Sequence, residues 1–444
     1  MNRKSAPKIT EAVNFTLNLK PYETLVLDNG VKVYTINEGP QDIIQIEIVF
    51  SAGNWFENKN GIAGTTNFML KNGTTQKTAL QINEAFEYYG TFCSRHCYNE
   101  TATLSLHTLT KYLHHLLPVM QELISDSVFP ENELELFKQN SLQKLTVNLR
   151  NAEFVAGRLI DSYVYGENHP YGIYTRPDTL EQLTVEELKL FYNQYYLNGE
   201  AVLFVSGNLP EKIFELLNNN FGKLSLKPAT FHYPAKVATP SIVKKYRIEN
   251  DKTSVQGAIR LAQPFPNRHH PDFKKVMLLN CLFGGFFGSR LMSNIREDKG
   301  FTYGIYSYIQ NHLQQSAWLI STEAGRQALI VDSAEVVASR LHDMLDELNC
   351  FESIAIADNY SEAMHEIDTN LPDVILLDIN LPDNNGIALL KRIKEYHPAL
   401  KVIVLTNKSG DNYRTLCEQI GSDHFIDKSR DFEHITSIIK SYVA

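Results

Sequence analysis

The sequence predicts two fold classes in one chain. The first is α+β, in units with mainly antiparallel sheets; the second is α/β, a doubly wound five-stranded parallel sheet. Three observations predict this. Before about residue 326, strands and helices come in clusters rather than in strict alternation. From Gln327 onward, five short apolar strands alternate with five amphipathic helices. Between the clusters, residues 224–239 ("LSLKPATFHYPAKVAT") are rich in Pro, Ala, Lys and aromatics without periodicity, which reads as a linker. The implied domains are 1–235, 236–326 and 327–444.

The elements follow in order. "TLVLDNGVKVYTIN" is a hairpin, two alternating runs around an Asp-Asn-Gly turn. "IIQIEIVFSAG" is a strand, and "GIAGTTNFMLKNGT" (Gly61 to Thr74) is a helix closed by a Lys-Asn-Gly-Thr turn. "TALQINEAFEYYG" and "HTLTKYLHHLLPVMQELISDSVF" carry apolar residues at three- and four-residue spacing, as helices do. "TFCSRHCYNETATLSLHTL" alternates, so Cys93, His96 and Cys97 read as sheet residues rather than a metal cluster. "PENELELFKQNSLQKLTVNLR" opens on Pro and acids and continues as a long helix. "TVEELKLFYNQYYLNGEAVLFVSGNL" is helix, then strand. After the linker come "TSVQGAIRLAQPF" (strand), "PDFKKVMLLNCLFGG" (helix) and "GSRLMSNIREDKGFTYGIYSYI" (helix, turn, strand). The last region strings "ALIVD", "SIAIAD", "DVILLD", "KVIVLT" and "HFIDK" between helices such as "EVVASRLHDMLDEL" and "GIALLKRIKEY".

A net charge of −9 and a pI near 5.9 argue against a nucleic-acid or anionic-membrane surface as the function of the whole chain. No run approaches the roughly 18 apolar residues that span a bilayer. The basic start "MNRKSAPKITEAVNF" is not followed by an apolar run, so no secretory signal is expected. The five cysteines are scattered and odd in number, which suits a reducing compartment. A cytoplasmic protein with neither nucleic-acid nor membrane partners is expected.

In a doubly wound sheet, ligands sit at the carboxyl ends of the strands. Asp332 ends the first strand of the third domain, Asp378 the third and Thr406 the fourth, and Lys428 follows the fifth. A carboxylate can attack a phosphoryl group if charge is offset around it. A divalent cation held by carboxylates, a Lys ammonium and a Thr hydroxyl together supply that offset. With "LLDINLPDNNGIALL" intact, residues Gln327 to Ala444 resemble the receiver domain of two-component response regulators. The resemblance implies Asp378 as phosphoacceptor and, with Thr406 and Lys428, as the catalytic set. It implies Phe425 as switch aromatic and Mg²⁺ at Asp332, Asp378 and the Asn380 carbonyl. It also implies a cognate histidine kinase or other phosphodonor, and self-catalysed phosphorylation and dephosphorylation. Two positions depart from the family. Ser333 stands where a second acid is usual, which removes a metal ligand, and Ser429 replaces the proline after the lysine. No DNA-binding domain follows Ala444, so promoter binding is not expected.

The hairpin, "IEIVFSAGNWFEN" and the Gly61–Thr74 helix resemble the start of the pitrilysin/insulinase-type zinc metallopeptidases, whose helix carries H-x-x-E-H. Here those positions are Gly64, Asn67 and Phe68, and the later glutamate ligand is matched by Lys144 or Gln143. None of these grips zinc, and Asn67 cannot take a proton from water. His96, His107, His114 and His115 form no such frame, and His114-His115 reads as a polar helix face. "GENHPYG" matches family scaffold, and "GSRLMSNIREDKGFTYGIYS" matches its substrate-contacting motif, with Arg296 and Tyr303 as the Arg/Tyr pair. The resemblance covers Tyr22 to Gly325 and stops early, where "AWLISTEAG" runs into "RQALIVD". It implies a non-catalytic subunit, no zinc, and binding of a peptide or partner chain. Two alternatives stand beside it. The peptidase-like part is a truncated or chimeric passenger of a working receiver, or it is the substrate-binding half of a two-chain zinc peptidase. The early stop is expected to leave a sheet and helix face uncovered.

Overall fold

The computed structural model describes residues 19–230, 232–243, 245–248, 250, 256–348, 350–351, 353–407 and 411–443. The basic N-terminal stretch read above lies outside them through residue 18, as do residues 253–255 of "TSVQGAIRLAQPF" and Phe231 of the linker. The chain forms two compact units, the described part of Met1–Gln143 with Thr175–Pro234, and Lys144–Tyr174 with Ala235–Ala444.

The first unit is built on a seven-stranded sheet. Its elements are β1 (Glu23–Val26), β2 (Lys32–Asn37), β3 (Ile43–Phe50), α1 (Ile62–Met69), α2 (Ala79–Glu87), β4 (Phe92–Cys97), β5 (Ala102–Leu109) and α3 (Leu113–Ser125). Then come α4 (Glu131–Asn148), α5 (Ala152–Tyr165), α6 (Pro177–Glu181), α7 (Val185–Tyr192), β6 (Glu200–Gly207), α8 (Ile213–Phe221) and β7 (Lys227–Pro228). The strand order is β1-β2-β6-β3-β5-β4, with β7 beside β6. Pairing is mostly antiparallel, but β6 runs parallel to β2 and β7, so the sheet is mixed. Ile44, Ile46, Ile48 and Phe50 alternate inward along β3, which fixes its register because a one-residue slip would expose all four. Thr78 and Gln81 close a capping box at α2. The helix expected from His107 starts later, at Leu113, because "HTL" completes β5 against β3.

Residues 144–174, which the sequence places in the first domain, cluster with the second unit. α5 is the reason. The Arg260 guanidinium lies 3.4 Å from Glu153, and Gln310 donates to Asp161 at 3.0 Å. The end of the expected linker is also pinned there: the amides of Thr239 and, two residues past it, Ser241 donate to the carbonyls of Tyr165 and Tyr163 at 2.9 and 2.8 Å. β8 (Gln256–Phe265), α9 (Phe273–Gly284), β9 (Ile305–Asn311) and β10 (Ser316–Gly325) make a three-stranded antiparallel sheet in the order β8-β10-β9. Met277, Leu278, Leu279 and Leu282 of α9 and Ile259 and Leu261 of β8 are exposed, an apolar face of the kind the early stop leaves.

One residue after β10 the chain enters a five-stranded parallel sheet. Its elements are β11 (Gln327–Val331), α10 (Glu335–Glu347), β12 (Ser353–Ala357), α11 (Tyr360–Thr369), β13 (Val374–Asp378), α12 (Gly386–Tyr396), β14 (Lys401–Thr406), α13 (Asp411–Ile420), β15 (His424–Asp427) and α14 (His434–Val443). The order β12-β11-β13-β14-β15 reverses direction between β11 and β13, which opens a crevice at their carboxyl ends. Leu329, Val331, Ile375 and Leu377 face α11 and α12, while Ala328, Ile330, Val374 and Leu376 face α10 and α14. Burial on both faces explains why these strands read as unbroken apolar runs.

Candidate functional site

The strand ends at this crevice hold the site. Asp332 lies one residue past β11, Asp378 ends β13, Thr406 ends β14 and Lys428 follows β15. Asp378 pairs in register with Leu405, and Thr406 with Asp427, so the four residues share one sheet edge. The Lys428 ammonium donates to Oδ2 of both Asp332 and Asp378, each at 2.6 Å. All three side chains are buried, with exposures of 6% for Lys428, 1% for Asp332 and 9% for Asp378. The second oxygen of each acid is held by the backbone: Ala334 N donates to Asp332 at 2.9 Å and Asn380 N to Asp378 at 3.0 Å. One cation against two carboxylates leaves the cluster one negative charge in excess. Its charge-assisted bonds are the strong kind.

Thr406 is fully buried, and its carbonyl accepts the Lys428 amide at 3.0 Å. Phe425 is 7% exposed, packed in the core on the α11–α13 face, with the Arg414 guanidinium 5.0 Å from its ring. Ser333 turns its hydroxyl toward the Asn380 carbonyl at 3.5 Å, a contact the sequence reading did not anticipate. The two backbone amides that fix the acids were likewise invisible in the sequence, since any residue supplies an amide. The donor set is chemically suited to Mg²⁺, a hard cation commonly held by one or two carboxylates with phosphate and water completing the shell. Among the described residues no group of three or more His, Cys, Asp or Glu side chains is placed to hold a metal ion.

Gly386 makes the loop after Asp378 possible. A Cβ there would stand 2.3 Å from the Asp378 carbonyl oxygen and 2.6 Å from Ile379 Cα. Gly386→Ala is expected to cost about 1–3 kcal/mol, the range for overpacking a tight core. The urea midpoint should fall, because the end of β13 must shift to make room.

The other candidate residues lie elsewhere. In α1, Asn67 is buried and its Nδ2 donates to the Thr103 carbonyl at 3.3 Å. The Phe68 ring packs 4.8 Å from Phe137, the Arg95 guanidinium lies 4.7 Å over it, and Arg95 also donates to the Phe68 carbonyl. Nothing lies within 4 Å of a Cβ built on Gly64, and Gln143 and Lys144 sit on α4. An amide bonded to backbone, a phenyl ring and a glycine do not fit zinc. This helix is a packing element. His114 and His115 are exposed on α3, with rings 3.8 Å apart, and Tyr89 stacks on His115 at 5.0 Å.

Arg296 and Tyr303 do come together. Arg296 lies in a π-helical turn, Met292–Asp298, with its guanidinium 5.5 Å from the Tyr303 ring and 4.8 Å from the Phe287 ring. Phe287 was not singled out in the sequence; its position in "GGFFGSR" was the available signal. Tyr303 is 84% exposed, so the ring and hydroxyl are open to solvent beside a stacked cation.

Comparison with known proteins finds three matched regions, the second and third overlapping over residues 328–350. Residues 32–171 match the model for insulinase (peptidase family M16), 182–350 that for the peptidase M16 inactive domain, and 328–440 that for the response regulator receiver domain. An uncharacterized zinc protease, YmxG, of Bacillus subtilis strain 168 is 26% identical over 63% of this chain and 68% of that protein. A non-peptidase homolog, also YmxG, of Helicobacter pylori is 23% identical over 59% of this chain and 61% of its own. In shape, the chain is similar to a peptidase M16 inactive domain from Pseudomonas fluorescens, with TM-score 0.61 and 22% identity, covering 90% of this chain and 86% of that one.

Proposed function

We propose, for a chain that joins M16-type peptidase domains to a response regulator receiver domain, that Asp378 accepts a phosphoryl group and the peptidase-like part is a non-catalytic binding unit. The observation that carries this is the Lys428 ammonium bridging Asp332 and Asp378 at one buried sheet edge. In the transfer, an Asp378 carboxylate oxygen forms a bond to phosphorus. The bond from phosphorus to the donor's leaving group breaks, and that group departs with the electron pair. Lys428 offsets the acceptor's charge before the transfer and the phosphoryl oxygens after it. The Thr406 hydroxyl stands at the same edge to hold a phosphoryl oxygen. Mg²⁺, held by Asp332, Asp378 and the Asn380 carbonyl, would neutralise phosphoryl charge at this edge. The phosphodonor is a histidine kinase or a small acyl phosphate.

The peptidase-like part lacks the groups to activate water, and its Arg296–Tyr303 pair is suited to a peptide carbonyl or carboxylate. A peptide, or a zinc-bearing partner chain that presents one, is the occupant this chemistry favours. Among the described residues no helix is long and apolar enough to cross a membrane. Incubation with acetyl phosphate and Mg²⁺, followed by intact mass, tests the acceptor. One phosphoryl mass is expected on the native chain and none on Asp378→Asn. No gain, or the same gain in the variant, rejects the reading.

A further inference from the structure

The loop that joins Arg296 to Tyr303 is held from two sides. On one side Thr302 is buried and its hydroxyl donates to the carbonyls of Gly304, at 3.1 Å, and Glu323. Thr322 of β10 donates to that hydroxyl at 2.8 Å. On the other side stands Asn370, the residue that caps the C-terminal end of α11. With its side-chain amide turned so that the nitrogen faces them, it donates to the carbonyls of Lys299 at 3.1 Å and Thr369 at 3.2 Å. Gly300 has a φ of +64° and lies so close that a Cβ would come 2.3 Å from the Asn370 amide head. The Gly300 amide in turn donates to the Arg296 carbonyl at 3.1 Å, and that of Phe301 to the Ile295 carbonyl at 3.1 Å. A left-handed glycine closing a helical turn in this way fixes the turn's last residues. Arg296 is among them.

The opposite end of α11 meets the acceptor loop. Asp383, five residues past Asp378, accepts from the amides of Tyr360 at 2.7 Å and Ser361 at 3.1 Å and from the Ser361 hydroxyl at 3.0 Å. A ten-residue helix is about 15 Å of rigid rod. One end of it is capped by the loop after Asp378, and the other is bonded to the loop between Arg296 and Tyr303. We propose that α11 is a strut and Asn370 its positioning residue, through which the receiver sets the geometry of the Arg296–Tyr303 pair. This rests on the reading of Asp378 as acceptor and of Arg296 and Tyr303 as the binding pair. It adds how the one would govern the other.

The test is amide hydrogen exchange on the full chain, read on the peptide spanning residues 296–303. In the unphosphorylated chain, Asn370→Ala should raise exchange there about fivefold, the equivalent of one lost hydrogen bond. Gly300→Ala should do the same by pushing the loop away from Asn370. Acetyl phosphate with Mg²⁺ should change exchange in this peptide of the native chain. In Asn370→Ala it should leave that exchange unchanged while Asp378 still gains its phosphoryl mass. Exchange unaltered by either substitution overturns the strut. So does a phosphorylated native chain whose 296–303 exchange does not move. A native chain that gains no phosphoryl mass sinks the acceptor reading, and the strut is then decided by the two substitutions alone.

Discussion

Replacing Lys428 with methionine is expected to destabilise the receiver domain by about 3–5 kcal/mol, the cost of leaving a buried ion without its partner. The magnitude follows from the asymmetry of the cluster. The ammonium sits 2.6 Å from each of two carboxylates, and all three side chains are nearly or wholly out of water. Removing the cation leaves two like charges facing each other in a medium that screens them poorly. Removing one acid has the opposite logic. Asp332→Asn leaves a one-to-one pair and relieves the excess negative charge, so it should be neutral or mildly stabilising. Urea unfolding followed by hydrogen exchange in β13 reads both. A loss below about 1 kcal/mol in Lys428→Met would place the cluster in the regime of exposed ion pairs and contradict its burial.

The second large effect concerns pH, and it comes from the region where α5 meets the three-stranded sheet. Burial raises the Asp161 carboxyl from 3.8 to about 6, against a hydrogen bond from Gln310 that lowers it. Burial also lowers His312 from 6.5 to about 4, with His169 adding in the same direction. The folded state therefore binds more protons than the unfolded one at Asp161 between about pH 4 and 6. Stability from this group is full below its unfolded value and is lost as pH rises through 6. His312 does the reverse. Its contribution is full above 6.5 and is lost as pH falls through 4.

The two slopes oppose each other over the same window, and single substitutions should separate them. Asp161→Asn, relative to the native chain, should gain stability as pH rises from 4 to 6.5. The ceiling is about 3 kcal/mol, the free-energy equivalent of that displacement. His312→Gln should gain, relative to the native chain, as pH falls across the window, with a similar ceiling of about 3 kcal/mol. Thermal midpoints at half-unit pH steps would show two diverging lines. Parallel lines would mean that neither group is displaced by folding.

Much of the receiver was legible because its physics is local. Strands buried on both faces are short apolar runs, and each of Asp378 and Thr406 ends one, so the edge could be assembled on paper. The empty zinc frame was legible for the same reason, since Gly64, Asn67 and Phe68 carry no suitable donor whatever surrounds them. Other features depended on distant partners. α5 went unread although Asn151 caps its start and Gly166 ends it. Its few fully buried residues leave a weak stripe, and its attachment to β8 joins parts of the chain about a hundred residues apart. Asp161 and His312 are ordinary letters in the sequence; only burial makes them titrate abnormally. The two acids bridged by one ammonium, and the Ser333 hydroxyl on the Asn380 carbonyl, likewise required the fold.

Arg326 alone separates β10 from β11. One residue offers a single pair of soft backbone torsions, so the joint has almost no slack. β10 is the middle strand of its sheet and β11 an interior strand of the next, so neither can peel away without breaking pairs on both sides. The two sheets are threaded on one taut ribbon, and their boundary cannot behave as a swivel. Lengthening the ribbon there by even a few glycines would slacken this joint and leave the contact of Asn370 with Lys299 and Gly300 to keep the two sheets in step.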